Sequence, residues 1–178
     1  MNIVLGVTGS ISAYKAADIA NRLHKDGHDV HVVMTDGAEM FITPMTLQTL
    51  SKNKVFTEGF EEADPSVVAH IDLAEKADLV LIAPATGNVI GKIAGGIADS
   101  FLCAVVLAAA NQCPIYIAPA MNTNMYENPI VQENIKKLQG CGFKFIEPKE
   151  SQLACGTVGK GALADVDEIC DIVEGTLK

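Results

Sequence analysis

The sequence lacks an apolar run long enough to cross a membrane. Its longest uninterrupted apolar run, Phe101 to Ala110, has ten residues, whereas a bilayer-spanning helix needs about 20. We therefore interpret this run as a buried helix. The first residues, MNIVLGVTGS, also lack the basic, apolar and small-residue regions of a secretion signal. Together these absences predict a cytoplasmic protein with no membrane partner.

The chain is also poor in positive charge. It has 13 Lys and Arg against 22 Asp and Glu, a formal net charge of −9 at pH 7. No Lys/Arg cluster offsets this balance, which disfavours nucleic acid as a partner and favours small-molecule chemistry. Because 178 residues is the length of one ordinary domain, we expect residues 1–178 to form a single domain.

The five cysteines do not indicate a metal site or a disulfide framework. Their number is odd, and no two of them form a Cys-x-x-Cys pair. Cys103 and Cys170 lie in helical patterns, where a thiol usually behaves as a small apolar side chain. Cys155 differs, because the glycine-bearing loop around it can leave the thiol exposed and reactive. We predict no metal.

Alternating strand and helix patterns predict an α/β fold with a parallel sheet. Strands are predicted over Ile3 to Val7, Asp29 to Met34, Asp78 to Ala83, Ile115 to Ala118 and Phe143 to Ile146. Helices are predicted over Ser12 to Lys25, Val67 to Ala77, Val89 to Ala110, Val131 to Leu138 and Asp165 to Leu177. Asn128-Pro129 marks the start of the fourth of these helices, with a capping residue followed by proline at the first helical position. Ligands of such sheets bind beyond the carboxyl ends of the strands. The loops that follow the strands therefore carry the candidate site residues.

Two strands end in prolines that are followed by polar side chains. Pro119 cannot donate to a sheet ladder, so the chain should leave the sheet there and place Asn122 just beyond the edge. Pro84 should end the preceding strand in the same way and deliver Thr86 and Asn88 to the same edge. The two strand ends thus predict a cleft, although an ordinary loop with solvated asparagines is the alternative.

The loop Thr8-Gly9-Ser10-Ile11-Ser12 is typical of a phosphate-binding turn between a strand and a helix. Its small residues allow close approach of a ligand, its hydroxyls can donate, and the helix amino terminus favours an anion. It is not a G-x-G-x-x-G motif, and the second strand closes with Thr35 rather than an acidic residue. A dinucleotide is therefore disfavoured, and an ordinary glycine turn remains an alternative.

Three further features invite a functional interpretation. His70 is the only plausible general base among four histidines, since it precedes a predicted strand. Gly91, Gly95 and Gly96 lie in a predicted helix, where each glycine costs about 1 kcal/mol relative to alanine. They predict close approach of a ligand or a neighbouring subunit, with random glycine use as the alternative. The polar, glycine-punctuated segment Pro148 to Gly161 predicts a mobile flap over a site.

Six motifs resemble those of the homo-oligomeric flavin-containing cysteine decarboxylases. They are GSI at Gly9 to Ile11, HIDLA at His70 to Ala74, APATGN at Ala83 to Asn88, KIAGGIAD at Lys92 to Asp99, PAMNTNMYENP at Pro119 to Pro129 and LACGTVGKG at Leu153 to Gly161. The resemblance spans almost the whole chain. It implies a flavodoxin-like, Rossmann-like three-layer fold, bound FMN, and a homotrimer or dodecamer with FMN at the subunit interfaces.

The resemblance also implies residue roles. Asn122 would hydrogen-bond the substrate carboxylate, with Met121 and Ala154 beside the substrate. His70 would act as the base and Cys155 as the acid. The residues that would hold FMN are Gly9, Ser10, Ile11, Thr35, Thr86, Gly87, Asn88, Val89 and Ala120.

The implied reaction is decarboxylation of 4′-phosphopantothenoylcysteine to 4′-phosphopantetheine in coenzyme A biosynthesis. FMN would oxidise the cysteinyl thiol to a thioaldehyde, CO2 would leave, and the enethiolate would be reduced again with a proton from Cys155. Peptidyl-cysteine decarboxylases of the same family stop at the enethiol, so the cysteine-bearing flap favours the pantetheine branch. A flavin prenyltransferase and a non-catalytic regulatory binding protein share this fold, and both remain candidate functions.

The chain departs from the family pattern at two positions. The family often has Gly-Arg-Met after the flap, whereas Gly161 is followed here by Ala162-Leu163, and Tyr126 stands where tryptophan is common. We predict that Lys160 supplies the missing positive charge.

Many relatives also carry a fused ligase domain, for which this chain is too short, so we expect a separate ligase to supply the substrate.

Overall fold

A five-stranded parallel sheet forms the centre of the molecule in the computed structural model, which describes residues 1–58, 67–152 and 158–176. The strand order is β2-β1-β3-β4-β5, and every neighbouring pair is parallel. This is the order of flavodoxin-like folds, so the predicted fold class is confirmed. The strands are β1 (Asn2–Val7), β2 (Asp29–Met34), β3 (Leu79–Ala85), β4 (Ile115–Pro119) and β5 (Lys144–Phe145).

Helices cover both faces of this sheet. Successive residues of a strand point to opposite faces, and β1 accordingly contributes Ile3 and Leu5 to one buried apolar cluster and Val4 to the other. The result is a three-layer molecule with a core on each side of the sheet. The helices are α1 (Lys15–Lys25), α2 (Asp36–Glu39), α3 (Pro44–Ser51), α4 (Ala69–Lys76), α5 (Gly87–Ala94), α6 (Phe101–Ala109), α7 (Thr123–Tyr126), α8 (Pro129–Gly140) and α9 (Val166–Thr176).

Strand β3 continues through Pro84, so the prediction that it ends there is wrong. The pairing of β3 with β4 shifts its register between Ile82 and Ala85. Proline has no N–H to donate, and an irregularity of this kind is where a sheet tolerates it. Pairing resumes between Ala85 and Pro119, and the polar loop begins at Thr86.

The predicted helix from Val89 to Ala110 is in fact two helices, α5 and α6. Between them Gly96 has a φ of +67°, a backbone conformation that side-chain-bearing residues rarely adopt. Ser100 then caps α6, because its hydroxyl accepts a hydrogen bond from the Cys103 N–H at 3.2 Å. Of the three glycines in this stretch, only Gly91 lies within a helix.

The segment from Pro148 to Gly161, predicted as a loop, contains an antiparallel ribbon. Its strands are β6 (Lys149–Gln152) and β7 (Val158–Ala162). The tip between them, residues 153–157, lies outside the described residues, and with it lie Ala154 and Cys155. The roles of those two residues therefore stay predictions.

The longest apolar run forms a core helix, as predicted. In α6, Leu102, Cys103, Val105 and Val106 are fully buried. Across residues 1–58, 67–152 and 158–176, no helix combines the length and the apolar character that a membrane span requires.

Candidate active site

A large cavity lies beyond the carboxyl ends of four strands. Its volume is about 1050 Å³. The loops that line it follow β1 (residues 9–12), β2 (residues 35–37), β3 (residues 86–89) and β4 (residues 120–122). It therefore lies at the β1/β3 switch point, where ligands of this strand order bind.

All the residues predicted to hold FMN line this cavity. Met121 and Asn122, predicted for the substrate, line it as well. The structure thus brings two groups of predicted residues to one place, although they come from loops far apart in the sequence. The residues of the first group are Gly9, Ser10, Ile11, Thr35, Thr86, Gly87, Asn88, Val89 and Ala120.

The loop after β1 is held in a compact turn against the loop after β2. The Ser10 hydroxyl accepts a hydrogen bond from the Ser12 N–H at 3.2 Å and caps a short 3-10 turn that leads into α1. A Cβ atom at Gly9 would lie only 2.9 Å from the carbonyl carbon of Gly37. Because Gly9 has no side chain, the loop after β1 can contact the loop after β2, and the two loops together form the floor of the cavity.

Thr8 does not contribute its hydroxyl to the cavity, contrary to the prediction for this loop. The side chain is fully buried, and its Oγ1 donates to the Pro84 carbonyl at 2.7 Å. The same oxygen accepts from the Thr86 N–H at 3.0 Å. Thr8 therefore ties the end of β1 to the end of β3 and fixes the relative positions of the two loops.

The loop after β3 places a helix amino terminus at the cavity. The Thr86 hydroxyl accepts from the Val89 N–H at 3.4 Å and caps α5. Gly87 and Asn88, which open the helix, are part of the cavity wall. The unpaired N–H groups of a first helical turn and the helix dipole both favour negative charge on a ligand.

The loop after β4 places Asn122 in the cavity wall. The Ala120 N–H donates to the Ala85 carbonyl at 2.9 Å, and the Met121 N–H donates to the Gly161 carbonyl at 2.9 Å. Asn122 caps α7, since its Oδ1 accepts from the Asn124 N–H at 2.9 Å. The loop is thus fixed to β3 on one side and to β7 on the other.

One wall of the cavity carries charged residues that sequence reasoning did not assign to the site. Lys92 Nζ lies 2.9 Å from Asp99 Oδ1, and Glu58 Oε2 accepts from the Phe101 N–H at 2.8 Å. Burial, followed by the nearby Asp36 and Asp99, raises the pKa of the Glu58 carboxyl. Lys92 and Asp99 belong to one of the six motifs, whereas Glu58 lies in a connector without a recognisable pattern.

His70 lies beside the cavity and not among its lining residues. It is in the first turn of α4, and its ring meets the Phe101 ring edge-to-face with centroids 6.2 Å apart. Phe101 directly follows Ser100, which does line the cavity. Within its own chain, His70 is therefore adjacent to the site but does not form part of its wall.

Lys160 points away from the large cavity. Its Nζ pairs with Glu147 Oε2 at 2.6 Å, and the residue lines a second, smaller cavity of about 400 Å³. The prediction that Lys160 replaces a flap arginine at the substrate gains no support from this position.

In the described part of the chain, neither the two buried cysteines nor any metal-binding cluster contributes to the site. Cys103 and Cys170 are buried in the two cores, and burial raises the pKa of the Cys170 thiol to about 11. These positions confirm their interpretation as small apolar side chains. The described residues contain no cluster of three or more His, Cys, Asp or Glu able to hold a metal ion.

Comparison with protein families gives one match over the whole chain. A family model described as Flavoprotein matches residues 1–178. A Streptococcus mutans protein named probable phosphopantothenoylcysteine decarboxylase is 53% identical over 175 residues, which cover 98% of each chain. The Bacillus subtilis coenzyme A biosynthesis bifunctional protein CoaBC is 49% identical over 173 residues, which cover 97% of this chain and 42% of that protein.

Solved structures give the same picture. A PPC decarboxylase mutant complexed with pantothenoylaminoethenethiol has a TM-score of 0.86 and 30% identity, covering 99% of this chain and 97% of that one. The FMN binding protein AtHal3 has a TM-score of 0.82 and 31% identity, covering 98% of this chain and 95% of its own. The similarity therefore includes the strand-end loops as well as the sheet.

Proposed function

Because the chain belongs to the Flavoprotein family, we propose that it is an FMN-dependent carboxy-lyase that converts 4′-phosphopantothenoylcysteine to 4′-phosphopantetheine in coenzyme A biosynthesis. The observation that carries the proposal is the meeting of the predicted flavin-binding residues and Asn122 in one cavity. The substrate is inferred from the names of the relatives, of which the streptococcal one matches over nearly its full length.

The cavity has the chemistry that FMN requires. Ile11, Val89 and Ala120 give it an apolar part suited to a flat ring, while the Gly9 turn and the start of α5 offer backbone donors for a phosphate. The backbone contact between Gly9 and Gly37 leaves no room for a side chain between these loops. When bound, FMN would supply the two-electron oxidation of the cysteinyl thiol and the later return of those electrons.

Asn122 is the residue that we assign to the substrate carboxylate. Its Oδ1 accepts the Asn124 N–H, and this bond distinguishes the oxygen of the amide from the NH2 group, which is the end able to donate to a carboxylate. The neighbouring Ala120 is almost completely buried, whereas Asn122 itself is partly exposed where it lines the cavity. A carboxylate held in such a place is positioned for loss of CO2.

We propose that His70 serves the cavity of a neighbouring subunit in a homotrimer or dodecamer. It lies beside its own cavity and not in the wall, a position that fits a base acting in the cavity of a neighbouring chain. Val68 and Ile71, on either side of it, are 50% and 39% exposed, and Ile97 in the loop between α5 and α6 is 47% exposed. Exposed apolar side chains of this kind are typical of surfaces that pack against another protein. Cys155 remains our predicted acid.

A ligase that makes the substrate is the other partner that we infer. The Bacillus relative is named a bifunctional protein, and this chain covers 42% of it. That ligase would perform the step before decarboxylation. A cytoplasmic location for both proteins remains a prediction.

Replacing Asn122 by aspartate tests the proposal. Aspartate caps a helix as well as asparagine does, so Asn122→Asp should fold and bind FMN while its charge repels the substrate carboxylate. We expect CO2 release from 4′-phosphopantothenoylcysteine to be abolished. Asn124→Asp, an exposed change two residues away, is the matched control. Normal turnover by Asn122→Asp would contradict the assignment.

A panel of substrates separates the candidate functions of this fold. A peptide ending in cysteine tests peptidyl-cysteine decarboxylation, and a prenyl phosphate with free FMN tests flavin prenylation. We expect turnover of the pantothenoyl substrate alone. For Cys155→Ser we expect CO2 release with accumulation of an oxidised product, and full turnover by this variant would remove the acid role. Absence of turnover with all substrates by an FMN-loaded protein would favour a non-catalytic binding role.

A further inference from the structure

Strand β7 is packed against the loop that carries Asn122. A Cβ atom at Gly159 would lie 2.7 Å from Thr123 Oγ1, and one at Gly161 would lie 2.4 Å from the Met121 carbonyl oxygen. Real Cβ atoms essentially never make contacts this short, so a side chain at either position would force β7, the Thr123 side chain or the Met121 backbone to shift. The ribbon and the loop around Asn122 therefore behave as one packed unit.

Lys160 lies between these two glycines and its side chain points in the opposite direction, as alternation along a strand requires. There it meets Glu147, whose Oε2 is 2.6 Å from Lys160 Nζ and also accepts a hydrogen bond from the Tyr126 hydroxyl at 3.2 Å. Lys160 Nζ is also 5.7 Å from the centre of the Tyr126 ring. The three side chains form one cluster, which we call the Lys160 cluster.

Tyr126 connects the Lys160 cluster to Asn122. Asn122 caps α7, and the Tyr126 N–H donates to the Asn122 carbonyl at 2.9 Å across the single turn of this helix. Tyr126 is 8% exposed. Burial, with Glu147 nearby, raises the pKa of its phenol, so the hydroxyl remains a donor at neutral pH. Movement of Tyr126 would therefore be passed directly to the residue that faces the substrate.

We propose that Lys160 is a positioning residue for Asn122 and acts through Glu147 and Tyr126. The inference rests on the proposed function, because it concerns the residue assigned to the substrate carboxylate. Lys160 and Glu147 are 40% and 60% exposed, and exposed ion pairs contribute little to stability. Their effect should instead appear in catalysis, where a displacement of about 1 Å can cost roughly 100-fold in rate.

Lys160→Met in the FMN-loaded protein tests this role. We expect the first half-reaction, measured as anaerobic loss of the flavin's visible absorbance at saturating substrate, to slow by about tenfold or more. FMN affinity and melting temperature should stay unchanged. Lys160→Arg should restore the rate, because arginine can still pair with Glu147. Lys136→Met is the matched control, since Lys136 lines the same small cavity and is outside the cluster.

A double-mutant cycle tests whether Lys160 acts through Glu147. Glu147→Gln should slow the same step, and the double variant with Lys160→Met should be no slower than the slower single variant, because both changes break one connection. Additive losses, or a Lys160→Met protein with a normal first half-reaction, would overturn the inference. A wild-type protein without FMN or CO2 release would instead overturn the proposed function, so the two failures are distinguishable.

Discussion

Two glycine-bearing regions of this molecule look alike in sequence but differ in their surroundings. In β7, side chains at Gly159 and Gly161 would collide with the loop of Asn122. In the region of α5 and α6, a Cβ at Gly91 would meet only Asn134 Nδ2 at 3.8 Å, and one at Gly96 would meet no atom of the described chain within 4 Å. Contacts inside the chain require the two glycines of β7, whereas they do not require Gly91 or Gly96.

The difference shows what glycine spacing can and cannot indicate. Gly161 allows the backbone of β7 to touch the backbone of the loop at Met121, and Gly159 leaves room for the Thr123 side chain. Gly96 allows a positive φ at the end of a helix. Gly91 has neither reason within the described part of the chain. The prediction that a neighbouring subunit approaches the backbone of α5 therefore remains open for Gly91, and it agrees with the oligomer that we propose.

The largest effect should come from Gly161→Ala. The new Cβ would lie 2.4 Å from the Met121 carbonyl oxygen, at a φ of +151° that side-chain-bearing residues rarely adopt. We expect activity to fall by about 100-fold or more, with a lower melting temperature in a thermal scan. Gly175→Ala in α9, where a Cβ has open space, is the control. Normal activity and melting of Gly161→Ala would show that β7 can move away from the loop.

Gly9→Ala should be the next most damaging change. Its Cβ would approach the Gly37 backbone at 2.9 Å and push apart the two loops that form the cavity floor. We expect FMN to bind at least about tenfold more weakly, a loss of about 1.4 kcal/mol, in a fluorescence titration. Gly140→Ala, with no neighbour within 4 Å, should bind FMN normally. Unchanged affinity of Gly9→Ala would contradict the placement of FMN at this loop.

Thr8→Val should destabilise the fold, because it breaks the connection between the ends of β1 and β3. Valine keeps the shape but loses the hydrogen bonds to Pro84 and Thr86 in a fully buried place. The expected loss is about 1 to 3 kcal/mol in the free energy of unfolding, measured by urea denaturation. Thr49→Val, whose hydroxyl is exposed, should be nearly neutral. A neutral Thr8→Val would mean that the strand ends do not need this connection.

Much of this architecture is predictable from the sequence, because the signals are local. Apolar runs locate β1 to β4, and Asn128-Pro129 correctly predicts the start of α8, where the Asn128 side chain caps the helix. The cavity residues follow from their positions after those strands and from their motifs. Here sequence and structure agree because each element carries its own pattern.

The features that the sequence patterns did not predict depend mainly on tertiary contacts. Strand β6 is entirely polar and β7 contains two glycines, so no alternation of apolar residues indicates these strands. The break between α5 and α6 did leave a signal, Gly96 followed by the capping residue Ser100, which an apolar pattern alone hides. Glu58 reaches the cavity from a connector, and only the packing of the chain brings it there.

The smallest effect should come from Gly91→Ala. If α5 met nothing, alanine would stabilise the helix by about 1 kcal/mol. We expect instead that the new methyl group weakens subunit association a few-fold, seen as a shift toward smaller species in analytical ultracentrifugation, because a neighbouring backbone packs there. Unchanged assembly with higher stability would contradict this use of Gly91.

A titration of the purified, folded chain with FMN, followed by CO2 measurement with 4′-phosphopantothenoylcysteine, tests the proposed flavin site. We predict binding of one FMN per chain, a visible flavin spectrum, and CO2 released in proportion to 4′-phosphopantetheine formed. A folded protein that neither retains nor takes up FMN would contradict the claim that the cavity at the carboxyl edge of the sheet is a flavin site.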